Sequence, residues 1–122
     1  MYLTTLTDPE LSPSGLPAWD EATAAEAVDG DTRLARELVL ALIAELPAQL
    51  VDLKACAARN DQGAVAEAAH HMRGATGYCG VLALDSALAG LEEAARAADA
   101  GRMAAELARV DAEAARLATN IA

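Results

Sequence analysis

Residues 69–80 read AHHMRGATGYCG and set the only two histidines of the chain, His70 and His71, ahead of Gly74, Gly77 and Gly80. An imidazole can relay a proton, ligate a metal or act as a nucleophile, and the side chains sharing its face decide which. On a helix turning about 100° per residue, with His70 at zero, Gly63, Ala66, Gly74 and Gly77 fall within about 40° of it. Ala68, Met72 and Cys79 fall at about 160°, 200° and 180°, and Val65 and Thr76 at about 220° and 240°. The helix is therefore expected to point its apolar face away from His70, leaving the histidine on a stripe of glycine and alanine. Each interior glycine costs roughly 0.5–1 kcal/mol relative to alanine, so Gly74 and Gly77 need a reason. Close packing of another helix is one. The other is a clearing that lets a partner reach an exposed imidazole, and the apolar stripe elsewhere on the helix, which already supplies the bundle contact, favours it.

His71 and Arg73 flank His70 without covering it. An imidazole between cationic donors suits the carriage of a phosphoryl group, whose charge spreads over three oxygens. Only the neutral ring is nucleophilic, so His70 needs no separate base to attack phosphorus. A metal site built from His70, His71 and Cys79 fails, because the three point about 0°, 100° and 180° around the helix and cannot converge. A cysteine–histidine nucleophile pair fails for the same reason. Neither common glycine-rich nucleotide loop is present.

The elements that position these residues follow from composition and spacing. The chain has 122 residues, 54% of them hydrophobic, with no Phe and one Trp. Alanine and leucine lead the helix scale while strand-favouring residues are scarce, which implies one all-α domain. Residues 1–16, with Pro9, Pro13 and Gly15, read as a flexible lead or linker, and the domain proper as 17–122. Pro17 is expected to open a brief helix over PAWDEATAAEAV that docks Trp19 on something larger. Asp31 then caps a long helix with Leu34, Leu38, Leu42, Leu46, Leu50 and Leu53 along one stripe, bent at Pro47. Asp61 caps the histidine helix. Val81, Leu84, Leu88, Leu91, Ala95 and Ala98 form the next stripe, Asp99-Ala100-Gly101 turns the chain, and Met103, Leu107, Val110, Ala114, Leu117 and Ile121 form the last. Four long helices with short turns predict an antiparallel up-and-down four-helix bundle, with the short N-terminal helix added.

The net charge is −10 and Lys54 is the only lysine, so the footprint of a nucleic-acid or anionic-membrane binder is missing. No apolar run approaches the roughly 18–20 residues of a membrane span, and the N-terminus is no secretory signal, which leads to an expectation of a cytoplasmic protein without direct membrane contact. Cys56 and Cys79 read as buried free thiols.

AHHMRGATGYCG resembles the motif of the histidine-containing phosphotransfer (HPt) domain family, Ala-His-x-hydrophobic-basic-Gly-small-small-Gly followed by another glycine three residues on. In that family the phosphorylated histidine directly follows the alanine, which implies His70 here, with His71 at the variable position and Met72, Arg73 and Gly74 at the hydrophobic, basic and glycine positions. LARELVLALIAELPAQLVDLKACAARND is similar to the long helix before the motif and LALDSALAGLEEAAR to the one after it. GATGYCGV is most like the domains at the C-termini of hybrid sensor kinases. In some relatives a polar side chain at the position of Glu92 bonds the histidine ring; a solvated helix charge is the alternative. Arg73 stands where lysine is commoner, which keeps the charge and changes the donor geometry.

The resemblance implies a phosphoryl carrier in a multistep two-component phosphorelay, without kinase or phosphatase activity of its own. Response-regulator receiver domains would supply the phosphoaspartate and Mg²⁺, and this chain would need no cofactor or metal. Gly74, Gly77 and Ala66 are expected on the docking surface, His71 and Arg73 beside the phosphoryl group, and a monomer is the simpler state. The lead fits a free-standing relay protein or a piece of a membrane-anchored hybrid kinase acting in cis. A helical adaptor that binds receivers or partner helices without carrying phosphate is the alternative function, and the intact motif argues against it.

Overall fold

The computed structural model describes residues 14–121, and within them the chain is all-α. The expected flexible lead lies outside the described residues up to residue 13. Its end is tied down, since the Leu16 carbonyl accepts a hydrogen bond from Arg116 Nη2 at 3.2 Å. The helices are α1 (Glu21–Glu26), α2 (Thr32–Ala58), α3 (Gln62–Thr76), α4 (Leu82–Arg96) and α5 (Ala100–Ile121). Neighbours in sequence pack together, and α5 closes the ring against α2, which gives the expected up-and-down four-helix bundle with α1 laid on α2.

Local chemistry fixes most of the ends. Asp31 accepts from the Leu34 amide and Asp61 from the Ala64 amide, both at 3.0 Å, so both expected caps are in place. Asp29, Asn60 and Ala98 take positive φ where α1, α2 and α4 give way to the next turn. The start of α1 differs from the expectation at Pro17. Asp20 is the cap, accepting from the Thr23 hydroxyl at 2.8 Å, while residues 17–19 are non-helical and lie against the rest of the fold. The Pro17 carbonyl accepts from the Ala83 amide, and Trp19 Nε1 donates to the Cys79 carbonyl at 2.9 Å. Trp19 thus docks as expected, but ahead of the helix rather than from it. The turn before α5 also comes earlier than expected. Ala98 lies in it rather than on the α4 stripe, Asp99 caps the Arg102 amide at 3.1 Å, and Gly101 is already helical.

Leucine, valine and alanine build the core. Val39, Leu53, Val65, Leu84, Leu88, Leu91, Val110 and Leu117 are almost fully buried, each burial stabilising the fold by roughly 1.5–3 kcal/mol. On α2 the buried face is Ala35, Val39, Leu42, Leu46 and Leu53, and Leu34 is exposed. The helix is therefore rotated from the all-leucine stripe, because Ala35 and Val39 hold the three-and-four spacing equally well. It runs continuously through Pro47. On α3 and α4 the buried residues include Ala66, Ala69, Ala83, Ala87 and Ala94, small enough to let backbones approach closely.

The buried face of α3 corrects one expectation. It consists of Val65, Ala66, Ala69, Met72 and Thr76, centred at about 250° on the scale with His70 at zero, not opposite the histidine. The physical cause is that alanine reads as either surface or core, and α4 claims Ala66 and Ala69 for the core. His70 therefore stands at the flank of the helix interface, within reach of α4.

Candidate functional site

His70 projects from the middle of α3 with its side chain 70% exposed, and its Nδ1 lies 3.1 Å from Oε2 of Glu92 on α4. The Glu92 side chain is only 12% exposed and holds two further donors. Arg96, one turn further along α4, reaches Oε2 through Nε at 3.1 Å and Nη2 at 2.8 Å, and Arg73 Nη1 reaches Oε1 at 3.3 Å. The Arg96 hydrogen bonds are the largest influence holding the Glu92 carboxyl below its ordinary value. Burial opposes them, while the Arg73 bond and the charges of His70 and Arg96 add to them.

This arrangement selects a tautomer. An ionised carboxylate only accepts, so the imidazole nitrogen facing it carries the hydrogen and donates. In the neutral ring Nδ1–H therefore faces Glu92 and Nε2 carries the lone pair on the exposed side. The carboxylate also stabilises positive charge that develops on the ring when Nε2 forms a bond.

Arg73 is drawn towards α4. Its Nε is 3.5 Å from Asp85 Oδ1, the oxygen that accepts the buried Thr76 hydroxyl at 2.7 Å. Its guanidinium therefore links Glu92, the partner of the His70 ring, to Asp85. His71 is exposed on the next face of α3. Gly74 is exposed, and a β-carbon there would meet nothing within 4 Å. Gly77 is exposed too, but a β-carbon would sit 3.0 Å from the Arg73 carbonyl, so the end of its own helix also favours glycine. Ala66, expected on the docking surface, is buried at 4% exposure because α4 packs over it. It lines the bottom of a groove formed with Gln62, Gly63, Glu67, Ala95 and Arg96.

Sequence reasoning reached His70, Arg73 and Glu92 and missed Arg96, Asp85 and Thr76. The four-residue spacing from Glu92 to Arg96 on one helix is a signal that was available. Asp85 had none, because its partners lie across a turn. Cys79 is buried in that turn, where burial raises its thiol above the ordinary value, and Cys56 is a half-buried free thiol. Among the described residues no group of three or more histidine, cysteine or acidic side chains is arranged to hold a metal, and no helix is long and apolar enough to cross a membrane.

A family model described as the Hpt domain matches residues 37–120. The sensor histidine kinase GacS of Pseudomonas protegens is 43% identical over 58 residues, a stretch that covers 48% of this chain and 6% of that relative's length. No solved structure matches the chain.

Proposed function

The chain belongs to the Hpt domain family, whose role is histidine phosphotransfer in a phosphorelay, and on that premise we propose that His70 is its phosphoacceptor. The observation that carries the assignment is the exposed His70 ring with Nδ1 held against a buried, ionised carboxylate. In the proposed step, Nε2 attacks the phosphorus of a phosphoaspartate on a receiver domain. The Nε2–P bond forms as the acyl phosphate P–O bond breaks, and the aspartate leaves as carboxylate. The positive charge left on the ring stays as Nδ1–H bonded to Glu92, so no proton has to move. Reversal of the step loads a second receiver, and the Mg²⁺ that accompanies it belongs to the receiver.

Docking centres on His70 and the open surface at Gly74, with His71 and Arg73 at the edge of the incoming phosphoryl group. The donor is a receiver domain, acting in the cytoplasm and either on a separate protein or within one kinase chain. The test is to incubate the protein with a receiver charged from a radiolabelled small-molecule donor. Acid-labile, base-stable label is expected on this chain, retained in His71→Gln and absent in His70→Gln. Label that persists without His70, or none from any receiver, would overturn the assignment.

A further inference from the structure

The motif brings one arginine to the site and the fold brings a second, and the two reach different oxygens of Glu92. Arg73 binds Oε1 and divides its guanidinium between Glu92 and Asp85. Arg96 binds Oε2 through two nitrogens, and Oε2 is the atom that faces His70 Nδ1. We propose that Arg96, rather than Arg73, is the positioning residue for the phosphoacceptor, holding the Glu92 oxygen that orients the His70 ring. This rests on the reading of His70 as phosphoacceptor only for its effect on transfer.

The reason lies in the last torsion of glutamate, which is broad and leaves the carboxylate free to rotate unless its oxygens are held. A planar fork one turn away on the same helix holds one oxygen in place, which a single-donor contact does less well. Without Arg96, the carboxylate can turn towards Arg73, and Nδ1–H loses a fixed acceptor. The other charged groups around Glu92 do not substitute for this fork. From α3 they are His70 and Arg73, from α4 Asp85 is engaged with Arg73 and Thr76, and on α5 Arg102 pairs with Glu93. The Arg96 side chain is 60% exposed, so replacing it opens no core cavity.

Nitrogen-15 spectra of the imidazoles in the unphosphorylated 122-residue chain test this directly, with His71 as the internal reference. The unaltered protein should show His70 as the Nδ1–H tautomer. Arg96→Gln should give a mixed tautomer signal at His70 and leave His71 unmoved, Arg96→Lys should recover part of the original signal, and Arg73→Gln should shift it less than Arg96→Gln. Phosphotransfer should slow by about three- to tenfold in Arg96→Gln, the scale of losing one ordinary net hydrogen bond. A His70 spectrum unchanged by Arg96→Gln, or moved as far by Arg73→Gln, would overturn the proposal. If the unaltered chain takes no label, the phosphoacceptor reading falls, while the spectra still decide the role of Arg96.

Discussion

Gly74 and Gly80 belong to one motif, yet their surroundings are opposite. A β-carbon on Gly74 would meet open space, whereas one on Gly80 would lie 2.5 Å from the Asp20 carbonyl oxygen and 2.9 Å from the Ala24 β-carbon. Gly80 also holds φ at +76°, a conformation that side chains disfavour. At the front of the motif His70, His71 and Gly74 are left uncovered by the fold. The back, from Cys79 to Val81, is where the chain ahead of α1 docks, through Trp19 on Cys79 and the Asp20 amide on Gly80 at 2.8 Å. One run of residues therefore presents an exposed imidazole at one end and anchors the N-terminal segment at the other. Its glycines serve exposure in the first case and close approach in the second.

The contrast can be broken most forcefully at Gly80. Gly80→Ala should cost roughly 2–4 kcal/mol, combining left-handed strain with overpacking against α1. Chemical denaturation would show it, and a loss below about 1 kcal/mol would mean that α1 yields easily and the closed half of the comparison is wrong. At Gly74 the expectation has the opposite sign for stability. Gly74→Gln should raise stability by roughly 0.5–1 kcal/mol through helix propensity and still slow phosphotransfer, by about tenfold if docking loses 1.4 kcal/mol. A normal transfer rate in that variant would show that no partner approaches the open surface there.

The smallest effect is electrostatic. Because Arg96 and Arg73 hold the Glu92 carboxyl below its ordinary value, its contribution to stability is complete above the unfolded-state value of about pH 4.3 and is lost as acid passes down through the lower folded-state value. Glu92→Gln lacks that contribution, so the stability gap between the two proteins should narrow as the solution is acidified through this window. Parallel denaturation series at several pH values would measure it, and a gap that stayed constant would mean Glu92 is not held ionised by its arginines.

Much of this was legible in the chain because the relevant interactions close within one or two helical turns. Asp31 and Asp61 announce helix starts, since a cap needs only the amide three residues on. The identity of His70 as the chemically interesting histidine came from its place on the glycine stripe and from the family motif. The start of α1 was misread because Pro17 is an equally good local signal for a helix start, and only the docking of residues 17–19 on Cys79 and Ala83 favours Asp20 as the cap. Ala66 was misplaced because alanine carries no information about which side is buried. Arg96 was within reach of the four-residue helix rule, although that rule gives a pair and not the third partner, His70.

The sequence by itself determined the four long helices, the caps of two of them, the apolar spacing that closes them into a bundle, and which histidine the family motif singles out. Only the tertiary structure decided that Glu92 reaches His70, that Arg96 and Arg73 take separate oxygens of that carboxylate, that α4 buries Ala66, and that α1 fills the space beside Gly80. The division has one physical cause. Propensity, capping and periodicity are properties of neighbouring residues, whereas these other features depend on how α3 rotates against α4 and where the N-terminal segment lies. That rotation is fixed by the packing of small residues from both helices at once, and no single segment of the chain contains it.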